Sequence, residues 1–305
     1  MDGPSQDLRV EPRRHGKGRL AAFWLAEQSA RFLGGRAFYR RRHLSPGRLR
    51  LRREVLPVAG LALELEGFCV VQLSDFHGGN LLSAGSLTHA VELANRERPD
   101  LAVLTGDYIT HHWRQALDLL DELSGLRARL GVYAVFGNHD YRGRCERRIA
   151  EAYAQRGIRF LCNESLRFPA GAGAVALVGV EDLEEARAAD VSAARAALQP
   201  GDVELVLCHN PRAAPRLARA GVAAILCGHT HGTQVDLPWL RRLGPAHPGA
   251  RVQLGPTRVI TSRGLGVVGL PWRHGAPAEV VALRLSREVP GPGAGEAGGV
   301  ACTAA

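Results

Sequence analysis

Apolar and polar positions along residues 49–286 follow two alternating patterns. Continuous apolar runs, such as residues 101–106, predict buried strands, and residues 83–98 carry the spacing of an amphipathic helix that ends before Pro99. Alternating strands and helices favour a layered α/β fold with a largely buried sheet. The other predicted strands are residues 49–58, 68–74, 131–137, 174–180, 203–208, 222–227, 257–261 and 279–286, and the other predicted helices are residues 113–129 and 143–156.

The two ends of the chain depart from this pattern. Residues 1–48 are rich in arginine, contain aromatic residues and carry a helical pattern over residues 20–33. Residues 288–305 are rich in glycine, alanine and proline, a composition that predicts disorder. We therefore expect a basic N-terminal arm or helix over 1–48, a folded domain over 49–287 and a disordered tail over 288–305.

The net charge of +9 belongs to the arm rather than to the domain. Residues 1–60 hold 14 lysines and arginines against 5 acidic residues, whereas the remaining residues hold 25 of each kind. Basic arms bind phosphates, and the aromatic residues among the arginines favour an anionic membrane surface as partner. A solvated arm, or a helix packed on the domain, is the alternative. The neutral charge of residues 61–305 argues against binding of nucleic acid.

The cysteines and the apolar segments indicate the cellular compartment in which the protein is expected. The six cysteines form no C-x-x-C pair, and three of them lie in apolar strand patterns. Such thiols are typical of a reducing compartment. No apolar segment approaches the length of about 20 residues that spans a bilayer. We therefore expect a cytoplasmic protein that the arm would hold at the inner face of the cell membrane.

Side chains that can bind metals follow five of the predicted strands. Each group lies at the carboxyl end of its strand, and in an open α/β sheet these ends share one crevice. Imidazole, carboxylate and amide donors together suit zinc, manganese or iron, and a shared carboxylate suits a pair of ions. The residues are Asp75, His77, Asp107, Asn138, His139, His209, His229 and His231.

This set resembles the motifs of the calcineurin-like metallophosphoesterases over about residues 50–286. The segment 262–279 resembles that of the bacterial YkuE/YaeI-like branch, which is similar to UDP-2,3-diacylglucosamine pyrophosphatase. The resemblance implies a four-layer α/β/β/α sandwich. The motifs read D-x-H at 75–77, G-D at 106–107, G-N-H-D at 137–140, His209 and G-H-x-H at 228–231.

The resemblance also implies a role for each residue of the set. Two divalent cations (Mn, Zn or Fe) would be bound, and a hydroxide between them would attack phosphorus. His139 would be the catalytic residue that contacts the phosphoryl oxygen or protonates the leaving oxygen. Arg263 and Arg142 are candidate substrate-binding residues, because guanidinium groups bind phosphate. The first metal would take Asp75, His77 and His231, the second Asn138, His209 and His229, and Asp107 would bridge them.

These features predict a dinuclear phosphohydrolase that cleaves a phosphodiester or pyrophosphate bond. The implied substrate is a phosphorylated small molecule or lipid, and UDP-2,3-diacylglucosamine of lipid A synthesis is the first choice. A soluble cyclic-nucleotide or general phosphodiesterase is one alternative. A catalytically weak scaffold with the same fold is another.

Two positions depart from the family's pattern. Thr110 stands where many relatives carry an aspartate that orients the catalytic histidine. His139 therefore needs another partner, and the choices are Asp140, water or a backbone carbonyl. Thr233 stands where relatives often carry glycine, so the backbone beside the metal site has less freedom.

Overall fold

The structure is a computed structural model that describes most of the chain. Residues 1–16 of the predicted arm and the predicted tail at 288–305 lie outside the described residues. Within the described part, the chain forms two six-stranded sheets that pack face to face. The described residues are 17–79, 81–142, 144–186, 189–219, 221–236, 250–269 and 271–287.

The first sheet contains a parallel half that matters for the site. Its strands, in spatial order, are β1 (Arg50–Pro57), β12 (Glu279–Ser286), β2 (Cys69–Leu73), β3 (Leu101–Thr105), β4 (Val132–Val135) and β5 (Ile158–Phe160). Strands β2 to β5 pair in parallel, so their carboxyl ends lie at the same edge of the sheet. Strand β12 runs parallel to β1 and antiparallel to β2.

The second sheet has a similar parallel centre. Its strands, in spatial order, are β10 (Arg251–Leu254), β11 (Thr257–Thr261), β9 (Val222–Cys227), β8 (Val203–Leu207), β7 (Gly173–Gly179) and β6 (Glu164–Ala170). Strands β7, β8, β9 and β11 pair in parallel, whereas β6 and β10 are antiparallel edges. The apolar pattern predicts the central strands but misses β5, β6 and β10. Both β6 and β10 are only partly buried, so they carry no continuous apolar run.

Alternating side chains of the central strands divide the core into three layers. In β2, Val70 packs between the sheets and Val71 packs against the helices of the first sheet. In β8, Leu205 packs between the sheets and Val206 packs against the helices of the second sheet. The apolar interior is therefore flanked by two helix-covered faces, which is the predicted four-layer α/β/β/α sandwich.

The helices are short except at the N-terminus. The predicted helix over 113–129 is two short helices. The second ends at Leu123, because the chain then returns to the sheet, where the Leu130 N–H donates to the Asp100 carbonyl at 2.8 Å. The helices are α1 (Lys17–Phe32), α2 (Gly35–Tyr39), α3 (Thr88–Arg96), α4 (Arg114–Leu117), α5 (Leu120–Leu123), α6 (Asn138–Arg142), α7 (Glu146–Ala154), α8 (Val191–Ala194) and α9 (Ala214–Leu217).

The described part of the arm packs against the helical side of the first sheet. Helices α1 and α2 are followed by a π-helical turn, Arg40–Leu44. Tyr39 is fully buried, and its hydroxyl donates to the Leu265 carbonyl at 2.6 Å. The Arg36 guanidinium donates to the Gly79 carbonyl at 2.9 Å. No helix among the described residues is long and apolar enough to cross a membrane.

Candidate metal centre

Five strand ends bring the predicted residues together at one edge of the sandwich. Strands β2, β3 and β4 of the first sheet and β8 and β9 of the second sheet all end here. The ligand atoms form three overlapping groups, in each of which all atoms lie within 4.8 Å of one another. These groups are Asp75, His77 and His231, then His77, Asp107 and His139, then Asp107, His209 and His229.

Five of the gathered residues have a left-handed backbone, which residues other than glycine rarely adopt. Such conformations cost about 1–3 kcal/mol each and persist only where the surrounding structure holds them. Their concentration at one edge of the sandwich indicates a functional site. The φ angles are 52° at Asp75, 47° at His77, 58° at Asp107, 70° at His229 and 52° at His231.

Two glycines make room for the carboxylates. A Cβ atom on Gly137 would overlap the Asp107 carboxylate and lie 2.5 Å from the Asp107 nitrogen. A Cβ atom on Gly228 would overlap the Ser74 hydroxyl and the Asp75 carboxylate. Close packing therefore explains why a glycine precedes Asn138 and His229 in their motifs.

The first cluster consists of Asp75, His77 and His231. The Nε2 atoms of His77 and His231 lie 3.0 Å apart, and His231 Nε2 lies 3.5 Å from Asp75 Oδ1. Burial lowers the pKa of His77 to about 3 and the pKa of His231 well below its ordinary value. Both rings are therefore neutral. The second carboxylate oxygen, Asp75 Oδ2, is buried and has no hydrogen-bond partner among the described residues.

The second cluster consists of Asp107, His209 and His229, together with Asn138. Asn138 Oδ1 lies 2.8 Å from His229 Nδ1 and 3.2 Å from His209 Nε2. His209 Nδ1 donates to the Thr105 carbonyl at 2.7 Å, which turns Nε2 towards the cluster. Burial lowers the pKa of His229 to about 3. Burial alone would also lower the pKa of His209, but Asp107 raises it to about 10, so this cluster attracts positive charge strongly.

Asp107 contacts both clusters. Its Oδ2 atom lies 3.4 Å from His77 Nε2 and 3.2 Å from His209 Nε2. Burial would raise the pKa of Asp107, but the histidines around it, led by His209 and His139, hold that pKa well below its usual range. Asp107 is therefore an ionised carboxylate between two sets of imidazoles.

The donor atoms of this centre fit divalent cations. Imidazole nitrogens, carboxylate oxygens and an amide oxygen are the ligands that zinc, manganese and iron share. In the first cluster, two ring nitrogens and an unpartnered carboxylate oxygen, Asp75 Oδ2, converge. Converging lone pairs repel one another unless a cation lies between them. We conclude that this arrangement of donor atoms is suited to binding a metal ion.

His139 is held by the backbone beside the clusters. Its own N–H donates to Asp107 Oδ1 at 3.0 Å, and its ring Nδ1 lies 3.1 Å from the Thr110 carbonyl oxygen. Because a carbonyl only accepts, Nδ1 carries the proton and Nε2 keeps its lone pair. Of the three partners considered above for His139, the structure therefore shows a backbone carbonyl, that of Thr110. The Thr110 hydroxyl is buried and has no partner within the described residues.

Asp140, considered above as a partner of His139, instead binds backbone N–H groups. Its Oδ2 accepts from Gly137 at 2.8 Å and from Asp107 at 3.0 Å, and its Oδ1 accepts from Tyr108 at 2.9 Å. Asp140 therefore ties the turn after β3 to the turn after β4. Its place in the G-N-H-D motif was a signal for this role that sequence reasoning did not use.

The two predicted substrate arginines border the centre, and each pairs with a glutamate. Arg142 donates to Glu185 Oε1 at 2.8 Å, and its guanidinium lies 3.2 Å from the side-chain amide of Asn138. Arg263 donates to Glu279 Oε2 at 3.1 Å. The side chains are partly exposed, 43% for Arg142 and 32% for Arg263, so both remain accessible at the rim.

Sequence reasoning missed Arg273 and Tyr39. Arg273 lies beside His231, with its NH2 atom 3.4 Å from His231 Nδ1, and its Nε donates to the Tyr39 hydroxyl at 2.9 Å. Arg273 lies in the segment 262–279 that resembles the YkuE/YaeI-like branch, but nothing in the sequence connected it to the arm. The contact joins positions 234 residues apart, which no local pattern reveals.

Comparison with known proteins places these motifs in a family. The calcineurin-like phosphoesterase family matches residues 69–233, which is more than half of the chain. The metallophosphoesterase YkuE of Bacillus subtilis is 28% identical over 80% of this chain and 88% of its own length. The phosphodiesterase YaeI of Escherichia coli is 29% identical over 65% of this chain and 75% of its own length.

A third relative is longer than this chain. The transmembrane protein with metallophosphoesterase domain of Bos taurus is 30% identical over 75% of this chain but only 55% of its own length. The similarity therefore concerns one part of that protein. Together with the geometry of the metal centre, these matches show that the chain belongs to the calcineurin-like metallophosphoesterases and is a metal-dependent phosphoester hydrolase.

Proposed function

We propose that the chain is a dinuclear phosphohydrolase that cleaves a phosphodiester or pyrophosphate bond. The position of Asp107 carries this proposal, since its Oδ2 lies 3.4 Å from His77 and 3.2 Å from His209. A carboxylate between two donor sets suits two cations roughly 3.5–4 Å apart. The first cation would take Asp75, His77 and His231, the second Asn138, His209 and His229, and both would share Asp107.

Two bound cations would supply a nucleophile from water near neutral pH and balance the charge on the phosphoryl oxygens. The chain's own residues hold the geometry that this chemistry needs. His139 would contact the phosphoryl group or act as the general acid. The Thr110 carbonyl binds its Nδ1, so Nε2 is the atom that would contact a phosphoryl oxygen or, when protonated, give its proton to the leaving oxygen.

Arg142 and Arg263 would bind the outer oxygens of the substrate. A planar guanidinium binds two phosphate oxygens at once, which suits a substrate with more than one phosphate. Arg142 lies on the side of Asn138 and the second cluster, whereas Arg263 packs against Gly232 beside the first.

We extend the proposal to a substrate at an anionic membrane surface, with UDP-2,3-diacylglucosamine as the preferred molecule. The support is the orientation of α1. Trp24 and Phe32 are 52% and 90% exposed, whereas Glu27 is 3% exposed. A helix that turns large apolar residues outwards and a carboxylate inwards is inverted relative to a helix of a soluble surface. The exposed apolar residues would be covered if α1 lay against a membrane interface.

The charge around this apolar surface suits anionic lipid. Arginines 40, 41, 42 and 48 are all exposed in or after the π-helical turn. Each basic residue near an anionic leaflet contributes about 1 kcal/mol of attraction. The inner leaflet of the cell membrane would then be the place of action, in agreement with the reduced cysteines expected of a cytoplasmic protein.

The first experiment compares two substrates in the presence of Mn²⁺. Purified protein and its Asn138→Ala variant would be assayed with bis-p-nitrophenyl phosphate and with UDP-2,3-diacylglucosamine, and Asn95→Ala would be the matched control. We expect hydrolysis of the lipid far above that of the diester, lost in Asn138→Ala and kept in Asn95→Ala. Hydrolysis of bis-p-nitrophenyl phosphate alone would rule out UDP-2,3-diacylglucosamine as the substrate. If neither substrate is hydrolysed with Mn²⁺, Zn²⁺ or Fe²⁺, the alternative of a catalytically weak scaffold with the same fold would be favoured.

A second experiment tests the membrane surface. The full-length protein and a Trp24→Ser/Phe32→Ser variant would be sedimented with vesicles of phosphatidylglycerol or of phosphatidylcholine. We expect binding to the anionic vesicles only, and its loss in the double variant. Leu63→Ser is the control, because Leu63 is 68% exposed but lies before β2, at the end opposite the metal centre. Equal sedimentation of all three proteins would rule out the apolar face of α1.

A further inference from the structure

A buried arginine lies behind the first cluster. Arg273 is 4% exposed, and its hydrogen-bond partners among the described residues include no carboxylate. Its guanidinium donates instead to the carbonyls of Gly266, Ala276 and His231, with the last two at 3.1 and 3.4 Å. A buried cation is costly unless hydrogen bonds satisfy it, and these oxygens do so. Arg273 therefore joins the turn of His231 to the segment between β11 and β12.

The arm completes the environment of Arg273. The Tyr39 hydroxyl accepts from Arg273 Nε at 2.9 Å and donates to the Leu265 carbonyl at 2.6 Å. A phenol has a single proton, so both contacts can form at once only in this direction. Tyr39 is fully buried in the helical layer. The position of the guanidinium thus depends on a residue of α2.

His231 needs external support to keep its geometry. Its backbone is left-handed, with φ 52°, and such a conformation persists only where neighbours hold it. Arg273 contacts this residue twice, through the His231 carbonyl and beside the ring at Nδ1, each at 3.4 Å. The His231 ring in turn places Nε2 3.0 Å from His77 Nε2 and 3.5 Å from Asp75 Oδ1.

We propose that Arg273, fixed by Tyr39, is a positioning residue for His231, and that docking of the N-terminal arm thereby controls metal binding at the first cluster. This inference rests on the proposed dinuclear function. The second cluster has separate supports, namely the Thr105 carbonyl and the turns that Asp140 ties together. Loss of the Tyr39 contact should therefore weaken one metal site and spare the other.

The test measures Mn²⁺ binding to the full-length protein by equilibrium dialysis after metal removal. Tyr39→Phe removes only the hydroxyl, and Tyr153→Phe is the matched control. Tyr153 is also fully buried in the helical layer, but its hydroxyl donates to the Ala116 carbonyl at 2.9 Å and not to a group beside the first cluster. We expect Tyr39→Phe to weaken one of two Mn²⁺ sites about 10-fold, within the range seen when the partner of a metal ligand is lost. Tyr153→Phe should bind like the wild type.

Arg273→Lys gives a second variant and separates position from charge. Lysine keeps the positive charge but cannot make the forked contacts of a guanidinium. We expect the same weakened site, and in both variants kcat should recover at saturating Mn²⁺, whereas general structural damage would not be rescued by metal. Equal Mn²⁺ binding by Tyr39→Phe and Tyr153→Phe, with two sites in the wild type, would overturn this inference alone. A wild type that binds no Mn²⁺ and hydrolyses nothing would overturn the proposed function as well.

Discussion

The two clusters of the metal centre use similar ligands but are held in different ways. In the second cluster, His209 Nδ1 donates to the carbonyl of Thr105, the last residue of a central strand. In the first cluster, His77 Nδ1 is buried and has no partner among the described residues, and His231 Nδ1 faces the guanidinium of Arg273. One cluster is supported from inside the sandwich, and the other from a segment that the arm covers.

This difference bears on metal affinity. A carbonyl that accepts from Nδ1 orients the imidazole and raises its basicity at Nε2. A guanidinium only donates, so it cannot do the same for His231. We therefore expect the second cluster to bind its metal more tightly than the first, although both contain two histidines.

The largest expected effect removes the group that both clusters share. Asp107→Asn should lower kcat by about 10³-fold, because metal-ion catalysis contributes several kcal/mol and each 1.36 kcal/mol is tenfold. It should also reduce the bound metal at both clusters. Hydrolysis of bis-p-nitrophenyl phosphate and elemental analysis measure the two effects. Asp202→Asn is the control, since Asp202 pairs with Arg167 away from the centre. Loss of one metal only would show that Asp107 is not shared.

A graded removal of metal tests the comparison directly. Dialysis against increasing chelator should release metal in two steps separated by about 10-fold in chelator concentration, with the first cluster emptied first. In His231→Ala the tight step should remain, whereas in His209→Ala it should disappear. A single step, or a tight step that survives His209→Ala, would reverse the order of the clusters.

A smaller effect follows from crowding at the first cluster alone. A Cβ atom on Gly228 would overlap the Asp75 carboxylate, so Gly228→Ala should displace Asp75 and lower stability by about 1–3 kcal/mol. Metal binding should weaken more at the first cluster, which contains Asp75, than at the second, where His229 is tied to Asp75 only through its backbone N–H, at 2.7 Å. Thermal unfolding and Mn²⁺ titration would measure both effects. An unchanged titration would show that the turn relaxes without moving Asp75.

The smallest expected effect concerns acid and the arm. Burial, together with Arg273 and Arg42, lowers the pKa of His43 to about 4. The folded arm therefore favours neutral His43, and its contribution to stability is present above about pH 6.5 and is lost as the pH falls towards 4. We expect the free energy of unfolding to fall by about 1–2 kcal/mol between pH 7 and pH 5. This range allows for solvent screening of the charge on Arg42, which is exposed.

The control for this prediction is His43→Leu, which cannot be protonated. The ligand histidines titrate in both proteins, so the difference between their melting temperatures at pH 7 and pH 5 isolates His43. If the melting temperatures of the two proteins fall equally between pH 7 and pH 5, protonation of His43 does not destabilise the folded arm.

Much of the fold was predictable because buried parallel strands are continuous apolar runs. The pattern located β2, β3, β4, β8 and β9, whose ends carry the candidate metal-binding residues. The pattern did not predict the edge strands β6 and β10, because a partly exposed strand mixes polar and apolar positions. Helix patterns were less exact: the segment over 113–129 is two short helices, and the second ends at Leu123 because the chain returns to the sheet.

The sequence by itself determined which chemical groups the centre contains, because every candidate metal-binding residue lies in a short motif at a strand end. Only the tertiary structure decided how those groups are supported. The Thr110 carbonyl that binds His139, and the Tyr39 hydroxyl that binds Arg273, come from positions distant along the chain. A backbone carbonyl carries no residue-specific signal, and a contact between the arm and the C-terminal segment exists only once both sheets have formed. The reason is physical: ligand identity is local, whereas ligand orientation depends on long-range packing.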